Sequence, residues 1–250
     1  MIKFLTSNLN HYHKVNGEKI ANEIDDKNGL VKQLKQYLKG YKKIVYIAAD
    51  SKDREKVISY SKLLFEALKL SGIEFENYYV IDDTTKENAQ EYIENADLIF
   101  LSGGDTYIEM QFFNEINLKE LLALFNGVII GQSAGSINMA TDVFNSPEEQ
   151  ENSEPIYFGG LGLTDINTEP HFVLDANGFD DNELYQRNYI LAESFKRKIY
   201  ALCDTSHILI DNNEEIMYGE SYIIQNGVIE KICDHCESKS LVSKEVSVKK

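Results

Sequence analysis

The order of apolar and amphipathic segments in the first half of the chain predicts an α/β protein. Short runs rich in β-branched and aromatic residues indicate strands at residues 2–6, 43–48, 75–80, 98–102 and 128–131. Between them, apolar residues recur at steps of three and four, which predicts helices at 30–38, 53–70, 86–95 and 107–125, the last broken near Asn117. This alternation is typical of a mostly parallel sheet with helices on both faces.

Two helix starts carry a possible capping box, in which a threonine is followed three residues later by a glutamate. Thr84 precedes Glu87, and Thr106 precedes Glu109. In such a pair the hydroxyl and the carboxylate each accept a hydrogen bond from a backbone N–H that the helix leaves unpaired. We therefore expect Thr84 and Thr106 to cap the third and fourth helices.

The second half of the chain predicts a loop, one helix and several short strands. Residues 145–155 are polar and acidic and contain two of the three prolines, so they form either a lid or a plain solvated loop. An extended segment at 169–173 and a helix at 184–195 follow, then strands at 199–203, 208–210, 215–218, 222–225 and 228–232. Asn226-Gly227 is a strong hairpin signal, so we expect a C-terminal antiparallel hairpin extension. No linker is visible, which favours a single domain over residues 1–250.

The charge of the chain limits its partners. Lysine and arginine total 25 against 41 acidic residues, a formal charge of −16, which repels polyanions and makes nucleic acid a poor partner. No apolar run approaches the roughly 18 to 20 residues that span a bilayer, so we expect no membrane insertion. The first residues turn polar too early for a secretory signal, so a cytoplasmic location is expected. The oligomeric state stays open, with a homodimer as one candidate.

Three cysteines occur, Cys203, Cys233 and Cys236, a sparse and odd count that suits a reducing compartment. Cys233-Asp-His-Cys236 looks like half of a zinc or redox site, but a zinc site needs two further ligands, and His207 is distant in sequence. Reduced thiols are the favoured interpretation. We expect neither a metal nor a cofactor.

The segment 127-GVIIGQSAGSINMA-140 contains the pattern G-x-S-x-G directly after an apolar run. This pattern is typical of a nucleophile elbow, a sharp strand-to-helix turn that exposes the serine hydroxyl. The flanking glycines let the backbone turn and leave no Cβ to collide with neighbouring strands. Ser133 is therefore a candidate nucleophile. The alternative is a tight turn with a serine that caps a helix.

A serine nucleophile needs a base that removes its proton and a third group that orients the base. The histidines after the elbow are His171, His207 and His235. His171 is the best candidate because Pro170 stiffens the chain before it and an apolar run follows. A packed or capping histidine is the alternative.

A third segment, 98-LIFLSGGDTYIEM-110, places two glycines at the end of a predicted strand. Ligands of parallel sheets bind at the carboxyl ends of strands, and Gly-Gly lets backbone N–H groups point at an oxyanion. We hypothesise that the N–H groups of Gly104 and Ala134 form an oxyanion hole. A tight βα turn or a phosphate-binding nest would explain the same glycines.

Together, SGGD at 102–105, GQSAGS at 131–136 and EPHF at 169–172 resemble the peptidase E and cyanophycinase family of serine peptidases. The resemblance covers roughly residues 1–210 and implies a class I glutamine amidotransferase-like three-layer sandwich. It also implies Ser133 as the nucleophile, His171 as the base and an oxyanion site at the glycines after the fourth strand. The family's third member is usually a glutamate that follows a strand. Here Asp204, shorter by one methylene, stands in the matching stretch 201-ALCDTSHIL-209, and Asp165, Glu169 and Asp175 remain alternatives.

The resemblance implies a substrate with an acidic residue on its acyl side. Relatives similar to dipeptidase E cleave short peptides after an N-terminal aspartate, and cyanophycinases cleave β-aspartyl-arginine links. In a protein of charge −16 a local cation must hold such a carboxylate, and Arg187 in the predicted helix after His171 is the candidate. A solvent-facing helical arginine is the alternative. We therefore expect a serine hydrolase that acts on small peptides.

Two other interpretations remain open. An α/β-hydrolase also uses G-x-S-x-G but places the acid before the histidine, so it would need a pair such as Asp204 with His207, or Asp211 with His235. A non-catalytic glutamine amidotransferase-like protein could bind a small ligand in the same crevice. The substituted Asp204 and the acidic loop favour it, whereas Ser133, His171 and the double glycine favour an enzyme.

Overall fold

A computed structural model of the protein describes residues 1–147, 154–174, 181–212 and 214–241. Within these residues the strands are β1 (Ile2–Thr6), β2 (Tyr12–Val15), β3 (Glu18–Ala21), β4 (Lys43–Ile47), β5 (Asn77–Ile81), β6 (Leu98–Leu101), β7 (Val128–Gln132), β8 (Asp142–Asn145), β9 (Ile156–Gly159), β10 (Asn167–Glu169), β11 (Ile199–Leu202), β12 (His207–Asp211), β13 (Glu214–Tyr218), β14 (Ser221–Gln225), β15 (Val228–Cys233) and β16 (Ser238–Ser240). The helices are α1 (Leu30–Tyr37), α2 (Arg54–Leu70), α3 (Ala89–Ile93), α4 (Thr106–Glu115), α5 (Leu118–Leu122), α6 (Ala134–Ile137) and α7 (Asp181–Glu193).

The main sheet has the strand order β16-β13-β12-β1-β7-β6-β4-β5. Strands β1, β7, β6, β4 and β5 are parallel to one another, and β12, β13 and β16 extend the sheet in antiparallel fashion beyond β1. The predicted fold class, a mostly parallel sheet with helices on both faces and C-terminal antiparallel strands, is confirmed.

Alternate residues of the parallel strands enter two separate cores, one on each face of the sheet. Val45, Ile99 and Ile129 pack with α3, α4 and α5, whereas Ile44 and Phe100 pack with α1 and α2. Side chains of a strand point alternately to opposite faces, so strands that are apolar at nearly every position are covered on both sides. This burial accounts for the unbroken apolar runs in the sequence.

The C-terminal strands divide between two sheets. Strands β11, β14 and β15 leave the main sheet and, with β10, form a second one in the order β10-β11-β14-β15. Tyr200 and Leu202 of β11 face the core that contains α4, and Ile199 and Ala201 face a third core with Ile190 of α7. The second sheet therefore holds β10 and β11, which precede two predicted site residues, against the main body of the protein.

Several predicted elements differ in detail. Helix 86–95 is a short 3-10 turn at Lys86–Asn88 followed by α3. The predicted break of helix 107–125 is present, in contrast, because Asn117, whose φ is 52°, separates α4 from α5. Of the segment predicted to be extended at 169–173, only Glu169 belongs to a strand, because β10 ends at this residue. The hairpin β2–β3 and strands β8, β9 and β16 were not predicted. Residues 148–153 of the predicted acidic loop lie outside the described residues.

Both capping-box predictions are wrong. Asp105, not Thr106, caps α4, because its carboxylate accepts a hydrogen bond from the N–H of Ile108. Glu109 is 0% exposed and accepts a hydrogen bond from Asn138 Nδ2 instead of reaching back to the helix start. Thr84 precedes a turn organised by the Asp82 carboxylate, which accepts from the N–H groups of Thr84 and Thr85.

Among the described helices, none combines the length and the apolar character that crossing a bilayer requires.

Candidate active site

Ser133 lies at the reversal between β7 and α6, and its backbone takes an unusual conformation. Its φ is 51° and its ψ −114°, in a region that residues with a side chain rarely adopt. Ser133 N–H donates to Thr6 O at 3.0 Å, which ties the turn to β1. Ser136 Oγ reinforces the same junction, since it accepts from Thr6 N–H at 2.7 Å and lies 2.5 Å from Gly131 O. The predicted sharp strand-to-helix turn is therefore present.

The two glycines of the motif let β7, α6 and β6 approach closely. A Cβ on Gly131 would lie 2.6 Å from the carbonyl carbon of Gly135, and a Cβ on Gly135 would lie 2.6 Å from Leu101 O. Neither distance is compatible with a side chain. These positions require glycine because of close packing, which holds Ser133 at the carboxyl edge of the sheet.

His171 reaches Ser133 from the second sheet. It follows β10 and Pro170, has a φ of 56°, and its backbone N–H donates to Ser7 Oγ at 2.8 Å. Its Nε2 lies 3.0 Å from Ser133 Oγ, which is hydrogen-bond distance. The left-handed backbone turns the chain at the end of β10, and the hydrogen bond to Ser7 keeps the histidine in place.

Asp204 completes a chain of hydrogen bonds. Its Oδ1 lies 2.8 Å from His171 Nδ1 and accepts a hydrogen bond from Ser7 Oγ at 3.0 Å. Asn8 Nδ2 donates to Oδ2 at 3.3 Å. The hydrogen bond with His171 lowers the pKa of Asp204, partial burial opposes this, and Ser7 and Asn8 lower the pKa further. Asp204 is thus held as a carboxylate beside the imidazole.

The shorter aspartate reaches the histidine because the two backbone segments are neighbours. Strand β10 pairs in parallel with β11, and beyond the strands Phe172 N–H donates to Leu202 O at 3.0 Å. His171 directly precedes Phe172, and Asp204 lies two residues after Leu202. The backbone approach replaces the length that the missing methylene would supply.

The alternative acids and bases have other partners. Asp165 accepts from Thr141 Oγ1, Glu169 accepts from Ser146 Oγ, and Asp175 lies outside the described residues. His207 Nε2 bonds Gln33 Oε1, and burial lowers the pKa of His207 to about 3; His235 Nε2 lies 2.7 Å from Glu220. The described contacts bring neither histidine to Ser133, so the chain order of an α/β-hydrolase is not reproduced.

The glycines after β6 lie beside the serine. A Cβ on Gly103 would be 3.3 Å from Ser133 Cβ, and Gly104 lines a cleft next to His171. Within the described part of the chain, the N–H groups of Gly104 and Ala134 have no protein acceptor. Their role as an oxyanion hole stays a prediction.

The cleft has a volume of about 290 Å³, and segments that are far apart in sequence form its walls. Gly104 and Ile137 come from the main sheet side, Glu169 and His171 from the end of β10, and Arg187 from α7. The Arg187 guanidinium stacks on the Phe172 ring at 4.4 Å and donates to Val173 O. Of the predicted site residues, Gly104, His171 and Arg187 line this cavity, and Ser133 lies beside it, with its Oγ 3.0 Å from His171 Nε2.

Sequence reasoning missed three residues of this site. Ser7 and Asn8 directly follow β1, and their position at the carboxyl end of a parallel strand is the signal that could have identified them. From the sequence, Glu169 was considered only as an acid that could orient His171. The structure instead buries its carboxyl group in the wall of the cleft, where burial raises the pKa of Glu169 to about 7.

The glycine packing predicts a large difference between two otherwise similar substitutions. Gly135→Ala places a methyl group against Leu101 O, so we expect a loss of about 1–3 kcal/mol in unfolding free energy and slower reaction of Ser133. Gly159→Ala is the matched control, because no atom lies within 4 Å of the added Cβ. Gly159→Ala should change the unfolding free energy by no more than about 0.5 kcal/mol. Urea denaturation measures the unfolding free energy of both variants, and equal stability of the two would contradict the packing argument.

Burial of Glu169 predicts a pH-dependent stability difference. The carboxyl has an ordinary pKa of 4.5 and a folded-state pKa of about 7, so its protonated form stabilises the protein below pH 4.5. That contribution is lost as the pH rises from 4.5 to 7. Relative to Glu169→Gln, the wild type should lose about 3 kcal/mol of unfolding free energy over this window and no more above it. Urea denaturation of both proteins from pH 4 to 9 tests this; a constant difference would contradict it.

Comparisons with known proteins agree with this fold. A family model described as peptidase family S51 matches residues 19–217. The chain is 29% identical over 116 residues to "Peptidase E" of Nostoc sp. (strain PCC 7120), which is 45% of this chain and 46% of that protein. It is 25% identical over 136 residues, 53% of each protein, to a Drosophila melanogaster protein described as a probable alpha-aspartyl dipeptidase. These matches span about half the length of the curated relatives.

A solved structure from Listeria monocytogenes EGD-e, assigned as a peptidase E, is similar in fold. The TM-score is 0.56 at 19% identity, and the match covers 86% of this chain and 96% of the Listeria chain. At this identity the similarity concerns the fold alone. The family model, in contrast, covers most of the chain, including Ser133, His171 and Asp204. The chain therefore belongs to peptidase family S51.

Proposed function

We propose that the protein is a serine peptidase that hydrolyses short peptides through an acyl-enzyme on Ser133. The observation that carries this proposal is the continuous chain of hydrogen bonds from Asp204 Oδ1 to His171 Nδ1 at 2.8 Å and from His171 Nε2 to Ser133 Oγ at 3.0 Å. A base within hydrogen-bond distance of a hydroxyl, itself oriented by a carboxylate, is the arrangement that activates a serine. Membership of peptidase family S51 supports the same chemistry.

In the first half of the reaction, Ser133 Oγ attacks the carbonyl carbon of the peptide bond while His171 Nε2 takes the hydroxyl proton. The Asp204 carboxylate stabilises the imidazolium that forms and keeps the proton on Nδ1. The bond between carbon and nitrogen then breaks, and His171 returns the proton to the leaving amine. The products are a free amine and an ester on Ser133.

Charge that develops on the carbonyl oxygen requires hydrogen-bond donors that are already in place. We assign this role to the N–H groups of Gly104 and Ala134, which lack a protein acceptor among the described residues. Such donors stabilise the oxyanion without reorganisation during the reaction. In the second half of the reaction, water gives a proton to His171 and attacks the ester, which releases the acid and restores Ser133.

The proposed substrates are dipeptides with an N-terminal aspartate. The description of the Drosophila relative as a probable alpha-aspartyl dipeptidase supports this class. The cleft also contains a guanidinium, Arg187, suited to an acidic side chain, in a protein whose formal charge is −16. The volume of the cleft, about 290 Å³, suits a small ligand better than a folded protein substrate.

Substitution of the three hydrogen-bonded residues tests the chemistry. Ser133→Ala and His171→Ala should each lower kcat by roughly 10⁴- to 10⁶-fold, and Asp204→Asn by about 10²- to 10⁴-fold, because the amide favours the wrong tautomer of His171. A fluorophosphonate should label the wild type at Ser133 and leave Ser133→Ala unlabelled. An unlabelled wild-type protein would favour the alternative, a non-catalytic protein that binds a ligand in the same cleft.

Substitution of Arg187 tests the substrate class. Arg187→Met keeps an apolar side chain against Phe172 but removes the charge, so kcat/KM for Asp-Leu should fall by about 10- to 100-fold while that for Asn-Leu changes little. Steady-state kinetics with both dipeptides measure the ratio. Equal losses for the two substrates would contradict a role in recognising the acidic side chain.

A further inference from the structure

A carboxyl group that the proposed triad does not use lies in the wall of the cleft. Glu169 is the last residue of β10, is 8% exposed, and lines the cleft together with His171. It lies two positions before the proposed base. Glu169 and the proposed base therefore border the same cleft, which is where we place the substrate.

Two polar side chains hold Glu169 in a fixed position. Ser146 Oγ donates a hydrogen bond to Glu169 Oε1 at 3.0 Å, and Gln186 Nε2 donates to Ser146 Oγ at 3.2 Å. The three residues come from separate segments, the end of β10, the residue after β8 and helix α7. All three also line the cleft. Ser146 therefore fixes one carboxylate oxygen of Glu169, and Gln186 orients Ser146 in turn.

Among the side chains that the structure describes, the Glu169 carboxyl group takes part in no ion pair, and it accepts a hydrogen bond from the uncharged Ser146 hydroxyl. Burial raises the pKa of Glu169 to about 7, against the smaller opposing effects of Ser146, His171 and Arg187. A buried carboxylate without a hydrogen-bonded cation is costly, so a ligand cation that enters the cleft gains a strong, charge-assisted hydrogen bond.

The substrate of the proposed reaction carries such a cation. In a peptide whose first residue is the acyl residue, the α-ammonium nitrogen is only two bonds from the carbonyl carbon that Ser133 attacks. We propose that Glu169 is a specificity-determining residue that binds the α-ammonium group of the N-terminal residue, so that the enzyme removes one residue from a free amino terminus. This inference rests on the proposed peptidase function and adds a subsite to it.

A binding experiment tests the subsite without catalysis. Calorimetry with the Ser133→Ala protein compares Asp-Leu with N-acetyl-Asp-Leu, which lacks the ammonium group but keeps both carboxylates. We expect Asp-Leu to bind about 10- to 100-fold more tightly. Adding Glu169→Gln should reduce this preference to less than about threefold. Glu74→Gln, the same chemical change at a side chain that is 61% exposed and paired with Lys69, is the matched control and should keep the preference.

Three results would overturn the inference. The first is a preference for the free amine that persists in Glu169→Gln. The second is a change only in the ratio of Asp-Leu to Asn-Leu binding, which would make Glu169 a counter-ion for Arg187. The third is tighter binding of N-acetyl-Lys-Leu than of Asp-Leu that Glu169→Gln abolishes, which would assign Glu169 to a cationic side chain.

Fluorophosphonate labelling separates this inference from the proposed function. Glu169→Gln should still be labelled at Ser133, whereas Ser133→Ala should not, because Glu169 is outside the Ser133–His171–Asp204 hydrogen bonds. A protein that binds free dipeptides through Glu169 but resists the label would retain the subsite and exclude the peptidase. A labelled protein without any preference for the free amine would retain the hydrolase and exclude the subsite.

Discussion

The reversal of the chain at Ser133 is the constraint on which the rest of the site depends. The positive φ of this residue is maintained because Gly131 and Gly135 allow β7, α6 and β6 to pack without intervening side chains, and because Thr6 accepts the Ser133 N–H. Without that packing the serine would adopt an ordinary extended conformation. The hydroxyl would then no longer stand at the carboxyl edge of the sheet, within hydrogen-bond distance of His171 Nε2.

Ser7 links the two sheets at this edge. Its hydroxyl accepts a hydrogen bond from the backbone N–H of His171 and donates one to Asp204. Because Ser7 follows β1 of the main sheet, while His171 and Asp204 follow β10 and β11 of the second sheet, one side chain sets the position of both proposed partners relative to the serine. The distance from His171 to Ser133 thus depends on how the two sheets pack, as well as on local conformation.

The electrostatics of the cleft differ from those of the protein surface. The formal charge of −16 repels acidic ligands at long range, yet the cleft combines the Arg187 guanidinium with the Glu169 carboxyl and the His171 imidazole. A zwitterionic ligand with closely spaced positive and negative groups fits this mixture better than a simple anion does. The Asp204 carboxylate differs from the Glu169 carboxyl group, because hydrogen bonds from Ser7 and Asn8 stabilise its negative charge.

The local sequence pattern was sufficient to predict the parallel strands, α2 and the elbow. Strands buried on both faces are apolar throughout, and close packing requires the glycines of the elbow. The Asn16-Gly17 turn of β2–β3 carried the same hairpin signal as Asn226-Gly227 and could have been identified from the sequence. Thr106 and Glu109 fitted a local capping rule, but burial of Glu109 against Asn138 overrode it.

The sequence by itself determined the chemical types at the site, Ser133, His171 and Asp204, and their order. Only the tertiary structure decided that Asp204 reaches His171, that Ser7 joins them, and that Glu169 is buried in the cleft, because each depends on contacts between segments far apart along the chain.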